Sequence, residues 1–566
     1  MNVLGLKIAN HDTGAALIAH GRVVAVSEER LNRVKHSFNM FPTLAIDYCL
    51  AELGLTPAEL DLIVIDQTGV REEAPMKEIF ARETGARFAG VRVEVINHHD
   101  AHAASAFFAS PFSESAVLVY DGSGERFLTQ EGVVVETETL YQGRDNTLTE
   151  LQKVRHLRDG RRATIGIGKV YSLLSSSYLG FGNYNEGKMM GLAPFGDLSL
   201  LQKIPEHRWW KEVDGEIVCN AQIFPAWRIP LIGGALAALW HRARLGSSVF
   251  APIILPRPAR NGEQLPDTYY ASVARTAQHV LEAVAVALGL KLKALTGSDN
   301  LAIAGGIGLN IDANKNFLDK AGFKRLFVQP GSSDSGVPLG CALWGYHVLL
   351  KQPRFWEMKH AYLGRAYSTL EVEAALDAFK DKVRWRRSAT IAKDAAALLA
   401  DGKVGAWFQG GSEYGPRALG HRSIIADARR PDMADTLNYR VKHREAWRPF
   451  ATSMLKDKLS EWFDLAHESP YMLLAAQALP GVAAQVPSVI HVDNTSRIQT
   501  VTKEDNGRYF ELIDEFYKLT GVPIILNTSF NLGGEPIVES PQDALRTFTS
   551  TDMDYLVLEE YVVEKL

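Results

Sequence analysis

At 566 residues the chain is too long for a single hydrophobic core, and two or three domains are expected. Hydrophobic residues make up 46% and charged residues 22%, and 61 basic against 66 acidic side chains leave a formal charge of −5. That balance excludes a global attraction to nucleic acid or to an anionic membrane. Cys49, Cys219 and Cys341 are too few and too scattered for a disulfide framework or paired zinc-ligand spacing, so a reducing cytoplasm is expected.

The opening MNVLGLKIAN lacks the basic-then-apolar pattern of a secretory signal. VLGLKIA and AALIAH read as strands joined by the polar turn NHDTG, and a turn at Gly21 leads to a third strand, RVVAVSEE. AVLVYDGSGERFLTQEGVVVETETL repeats the order of strand, acidic glycine turn and two further strands. Such a repeat fits an internally duplicated α/β domain of the actin/sugar-kinase type, although unrelated β-meanders share the pattern. The apolar window Ile229–Trp240, flanked by arginines, is too short to span a bilayer and reads as a core helix or pocket wall.

A helix is expected over Tyr269–Leu288, followed by a buried strand in NLAIAGGIGLN and by QPGSSDSGVPLGCALWG, which opens another helix. Residues 351–368 are polar and without clear period, and a linker is placed there between domains at 1–350 and 369–566. The remainder alternates again: helix IAKDAAALLADG, strand KVGAWFQ, an arginine-rich segment, and strand PIILN.

Three constellations carry chemistry. His98 and His102 are four residues apart in NHHDAH, so on a helix both imidazoles project from one face. Asp121 ends the next strand, and Asp334 holds the same kind of position at a later strand-to-helix junction. Two imidazoles with carboxylates suit a divalent metal, with iron or zinc ahead of magnesium. A histidine-rich helix start without metal is the alternative, and a His99-led geometry would need another partner.

The second constellation is a set of glycine segments, DGSGE, EGKMMGLAPFG, GGIGLN and PGSSDSG, able to bring backbone close to phosphate. From it Gly122, Ser123, Gly124, Gly306 and Asn310 are nucleotide-binding candidates. The third is GGSEYGPRALGHRSIIADARRPDMADTLNYRVKHREAWRPF. Between Arg417 and Arg448 it has eight Arg or Lys against four Asp or Glu. Arginine's fixed fork suits phosphate and carboxylate oxygens, so an oxyanion pocket is expected rather than a solvated surface. NTSRIQTV and LNTSFNLGGEP add Arg497, Asn527, Ser529 and Asn531.

With these segments in order, the chain resembles the NodU/CmcH-type carbamoyltransferases over nearly its whole length. The matching landmarks include NHDTGAAL, SEERLNRVKH, HHDAHAASAF, DGSGE, GKMMGLAPFG, AGGIGLN, GPRALGHRSIIAD, RVKHREAWRPFA, SRIQTV and LNTSFNLGGEP. The resemblance implies an actin-like transfer domain and a C-terminal YrdC-like domain that makes carbamoyl adenylate from carbamoyl phosphate and ATP. It implies a divalent metal, Fe2+ ahead of Zn2+ or Mg2+, on His98, His102, Asp121 and Asp334, and His11 as base on the acceptor. It places carbamoyl phosphate and ATP on Arg417, Arg422, Lys442, Arg448, Arg497, Asn527 and Ser529. The acceptor would be a hydroxylated natural product, chosen by the motif-free segment 202–267. No nucleic acid or membrane partner is implied, and a homodimer stays open. Two other readings remain: a threonylcarbamoylation-type transferase acting on tRNA, and an ATP-binding regulator without turnover. HypF-type maturation would need CxxC motifs that three scattered cysteines cannot supply.

Overall fold

An unbroken run of buried residues, Val3–Lys7 (β1), lies mid-sheet between antiparallel β2 (Gly14–Ala19) and parallel β4 (Leu62–Asp66). β3 (Arg22–Ser27) and β5 (Val93–Ile96) take the two edges. Parallel pairing of β1 with β4 requires a crossover, supplied by α1 (Glu28–Asn32) and α2 (Thr43–Leu53); α3 (Ala74–Thr84) precedes β5. The computed structural model describes residues 1–68, 74–130, 132–157, 164–225, 249–255 and 268–566.

A second sheet repeats this plan. β6 (Glu114–Tyr120) pairs parallel with the strand Asn300–Ala304, which pairs parallel with Arg325–Val328. On its other side β6 runs antiparallel to β8 (Gly132–Arg144). The duplicated α/β arrangement of the actin/sugar-kinase type is therefore present, with one difference from the sequence reading. RFLT, β7 (Arg126–Thr129), does not neighbour β6; it pairs only with Gly132–Val135 at the start of β8. β8 is long enough to serve β7 with one end and β6 with the other, and β9 (Thr147–Leu157) lines its far edge. Period-two alternation marks strands but not their neighbours.

The expected helix over Tyr269–Leu288 is longer, Thr268–Thr296, and His98 and His102 do lie on one helix, α4 (His98–Phe107). The apolar window Ile229–Trp240 and part of the segment 202–267 fall outside the described residues. No described helix is long and apolar enough to cross a membrane.

The C-terminal residues build a ten-stranded mixed sheet. Its central strands run Gly405–Phe408, Arg422–Ala426, Ile524–Ser529, Ala451–Leu455 and Thr495–Val501. The chain divides into two compact units: Met1–Asp66, Phe80–Glu94 and Asp334–Leu566 form one, Gln67–Ile79 and Val95–Ser333 the other. The first sheet thus shares its unit with the C-terminal sheet, a grouping that crosses the borders placed at 350 and 369.

Residues 351–368 form a strap inside the first unit. The amide of Ala25 on β3 donates to Leu363 O at 3.1 Å, Tyr414 N donates to Ala361 O at 2.7 Å, and Gly364 N to Ser412 O at 3.1 Å. Two arginines from the α1 region reach the same backbone. Arg30 Nη2 donates to Gly415 O at 2.8 Å and Glu413 O at 3.3 Å, while Arg33 donates to Pro536 O and Ile537 O at 2.7 Å each.

β1 also packs flat against the helix Val337–Trp344. A Cβ on Gly5 would lie 2.1 Å from Pro338 O and 2.3 Å from Ala342 N, both rigid backbone atoms. Gly5→Ala is expected to cost about 1–3 kcal/mol through overpacking. Chemical denaturation of the two proteins side by side checks this, and equal midpoints would refute it.

Candidate functional site

In the second unit, Asn97 caps α4 and starts the turn that sets His98 and His102 on its buried face. The two rings meet edge-on at 4.6 Å between centroids, and His98 Nε2 lies 3.8 Å from Asp121 Oδ2. Thr68 Oγ1 hydrogen-bonds His98 Nδ1 at 2.7 Å, which leaves Nε2 as the nitrogen facing the carboxylate. One donor atom from each of His98, His102 and Asp121 lies within 4.8 Å of the other two. Two imidazoles and a carboxylate converging in a buried spot are donors that a borderline transition metal takes, so these residues fit the implied ion.

His99 faces away from this group. Its Nδ1 bonds Thr139 Oγ1 at 2.8 Å, and burial, then the neighbouring His98, holds its imidazole well below the usual range.

Asp121 gathers two of the glycine segments. Its Oδ1 accepts from Gly306 N at 2.9 Å and its Oδ2 from Ser123 N at 3.3 Å, so DGSGE and GGIGLN meet at one carboxylate. Gly122 faces open space, whereas a Cβ on Gly124 would strike His99 Nε2 at 2.5 Å. Asn310 is occupied structurally: it caps the helix Ile311–Asp319 and exchanges two hydrogen bonds with Gln278.

In the first unit Asp334 sits at the turn before the helix Val337–Trp344. Its partner is Lys7 Nζ at 3.1 Å, a fully buried ammonium that also faces Asp66 at 4.0 Å. Burial alone would lower the Lys7 pKa; Asp334 and Asp66 outweigh it and raise it to about 12. His11 lies in the same group, with Nδ1 3.2 Å from Asp12 and Nε2 3.6 Å from Asp334. Burial would lower its pKa, but the bond to Asp12 and the charge of Asp334 raise it. The signal for Lys7 was visible: one lysine inside an otherwise apolar strand.

The arginine segment resolves into two kinds of residue. Arg422 has no exposure and spends its donors on backbone: Nε on Glu539 O, Nη1 on Gln409 O and His421 O, Nη2 on Gly410 O. Lys442 Nζ is likewise surrounded by four oxygens of Ser529 and Asn531. Burial, then Arg444 and Lys35, push its pKa well down.

Arg417, Arg444, Arg448 and Arg497 behave differently. They are half-buried, each lowers another's pKa or has its own lowered, and among the described residues only Arg448 pairs with a carboxylate, Glu445 at 3.7 Å. Burial, then Arg448, takes Arg417 to about 10 and Arg444 to about 9. Burial, then Arg417, Arg444 and Arg448, holds the Arg497 pKa well below the usual range. Among the described residues Arg417 and Arg497 have no ion pair, and the Nε of each is buried without a hydrogen-bond partner.

Polar side chains on the central strands adjoin Arg497. Ser453 donates to Gln499 at 2.6 Å, and Asn527 Nδ2 donates to Ser453 and Gln499 at 3.0 and 3.1 Å. Asn527 Oδ1 is buried without a partner.

The loop bearing Arg417 hangs on an acid of the same segment. Glu413 Oε1 accepts the amides of Leu419, His421 and Arg422 at 2.8, 2.8 and 3.1 Å. Its cue was an acidic residue opening a basic segment.

Comparison with known proteins decides the family. The family model described as Carbamoyltransferase N-terminus matches residues 2–89, 90–208 and 247–343, and Carbamoyltransferase C-terminus matches 396–565. The chain belongs to the carbamoyltransferase family. An uncharacterised protein of Synechocystis sp. is 34% identical to this carbamoyltransferase, covering 100% of this chain and 97% of its own. Nodulation protein NolNO of Sinorhizobium fredii is 34% identical over 98% of this chain and 79% of its own. Nodulation protein U of Rhizobium tropici is 28% identical over 94% and 91%. Likeness to solved structures is remote: nucleotide-bound full-length HypF is 13% identical with a TM-score of 0.34, over 63% of this chain and 56% of its own.

The carbamoyltransferase holds its guanidinium groups together against their repulsion, which an arriving dianion relieves. Inorganic phosphate should therefore stabilise the wild type, by about 2.7 kcal/mol at 100 times its Kd. Arg497→Met should unfold later than wild type without phosphate and show no phosphate gain, because one of the repelling charges is gone. Thermal unfolding with and without phosphate tests both; an equal phosphate gain in the variant would place the anion elsewhere.

Proposed function

We propose that this carbamoyltransferase takes carbamoyl phosphate and ATP through carbamoyl adenylate to an O-carbamoylated small molecule. The observation that carries the reading is a set of four half-buried arginines of which, among the described residues, only Arg448 is paired with a carboxylate, while the Nε of Arg417 and of Arg497 is left without a partner; polyanions would supply the missing charge. Arg417, Arg444, Arg448 and Arg497 bind the phosphate groups of carbamoyl phosphate and ATP, and Asn527, through its buried Oδ1, orients the carbamoyl NH2. Hydrolysis of carbamoyl phosphate leaves carbamate and phosphate. A carbamate oxygen then bonds to the α-phosphorus of ATP while the bond to the leaving pyrophosphate breaks. Enclosure by the Arg417 loop keeps water from the mixed anhydride. Arg422 and Lys442 fix the backbone of that pocket and, in this reading, touch no ligand.

For the transfer step, His98, His102 and Asp121 would hold a divalent metal, iron(II) ahead of zinc or magnesium. When bound, such an ion supplies Lewis-acid polarisation and a template for phosphate or carbonyl oxygen. The adenylate phosphate lies over Gly122, which faces open space, while the amides of Ser123, Gly124 and Gly306 are taken by Asp121 and Glu136 and hold the turn in shape. His11 takes the proton of the acceptor hydroxyl as that oxygen bonds to the carbamoyl carbon and AMP leaves. Lys7 holds Asp334 in place. A hydroxyl of a natural product is the acceptor class, and segment 202–267 selects among them.

Assaying carbamoyl-phosphate-dependent pyrophosphate release and transfer separately tests the division. His98→Ala and His102→Ala should lose transfer and keep pyrophosphate release, whereas Arg448→Ala should lose both. Equal loss of the two activities in His98→Ala would sink the two-step assignment. His11→Ala should keep pyrophosphate release while transfer slows by about 10²–10⁴-fold, the range for losing a general base. Wild-type single-turnover transfer in that variant would remove His11 from the chemistry.

A further inference from the structure

The segments that carry the three donors of the second unit are tied together by one side chain that is not itself a donor. Asn97 directly precedes His98, and its Oδ1 accepts the amides of His99 and Asp100 at 2.9 and 3.3 Å, capping α4. A cap uses only the oxygen. The amide nitrogen of Asn97 donates instead to two buried carboxylates, Glu136 at 2.9 Å and Glu125.

Glu125 closes the turn that Asp121 opens. The backbone of that turn is clipped to β8 at both ends: Asp121 N donates to Thr137 O at 2.9 Å and Gly124 N to Glu136 O at 2.8 Å. In return Glu136 N donates to Glu125 O at 3.1 Å. Lys153 completes the group, 3.2 Å from both Asn97 Oδ1 and Glu136 Oε1, and offsets the two acids. All five hydrogen bonds of Asn97 are thus made, three through oxygen and two through nitrogen.

We infer that the Asn97–Glu125 bond is a positioning device for metal binding. It fixes the start of α4 to the far end of the 121–125 turn, and so sets the separation of His98 and His102 from Asp121. The inference rests on the metal-holding role given above to those three residues. Outer groups of this kind hold ligand geometry and cost 10–100-fold in metal affinity when removed, by the usual order of magnitude, about the effect expected here.

The cap and the tether can be separated. Serine caps a helix as well as asparagine but has no second donor for Glu125, so Asn97→Ser keeps the cap and breaks the tether. Glu125→Ala breaks the tether from the other side, and Glu125→Gln retains an oxygen that can accept from Asn97. Metal-free full-length protein titrated with Co2+, read by visible d–d absorption, gives affinity and ligand geometry without any turnover.

Asn97→Ser and Glu125→Ala should bind Co2+ about 10–100-fold more weakly, with a shifted d–d band. Their melting temperatures and pyrophosphate release should match wild type, and Glu125→Gln should restore affinity and spectrum. Wild-type Co2+ affinity and spectrum in both tether-breaking variants would overturn the inference alone. A melting temperature that falls in step with affinity, with no rescue by Glu125→Gln, would reduce the bond to structure. A wild type that binds no Co2+ would overturn the metal reading and this inference with it.

Discussion

Repulsion between like charges that cannot reach water is the constraint on which the first unit depends. Two unit charges 4 Å apart interact by about 4 kcal/mol at an effective dielectric of 20, so half-buried guanidinium groups scatter unless the scaffold prevents it. Here they stand on a strand, Arg497, on the turn before Ala451, Arg444 and Arg448, and on the loop at Arg417. Glu413 absorbs three amides of that loop on one oxygen, and Arg422 ties its base to two other backbone segments, at Gln409–Gly410 and at Glu539. The rigidity holds like charges close together, a cost in stability of the kind functional sites carry.

The second unit solves a different problem, bringing donors from distant segments into one place without filling it. Glycines allow the approach. Gly305, at φ 96°, passes so near Tyr120 that a Cβ would lie 2.3 Å from its carbonyl oxygen, and Gly168 rides as closely over Asp121 O. A side chain at either position would push the Asp121 turn away from its partners. The strand–glycine–helix pattern is thus steric before it is phosphate-binding.

Much of this was legible in the residues themselves. The helix at His98 and His102, the strands on each side of DGSGE, and the duplication follow from periodicity and glycine placement. What was not legible has a common cause: residue type does not reveal which partner a side chain meets. Arg422 and Lys442 sit in a basic run and look like ligands for anions, yet their donors go to carbonyl groups and to Asn531. Asn310, at the end of a glycine segment, turns out to cap a helix. Lys7 carries no motif, because its role comes from Asp66 and Asp334, far away in sequence. The pairing of β7 with β8 was out of reach for the same reason: alternation records a face, not a neighbour.

The grip of Arg30 and Arg33 has an evolutionary corollary. Both hold main-chain carbonyls, at Glu413, Gly415, Pro536 and Ile537, and every residue type presents that oxygen alike. Apart from Glu413, whose carboxylate holds three amides, the side chains at those positions are therefore at liberty to drift without loosening the joint. The arginines have no such freedom, since lysine cannot span two carbonyls with a planar fork. Recognition that is specific on one side and indifferent on the other lets a lineage diversify one surface while its framework stands still.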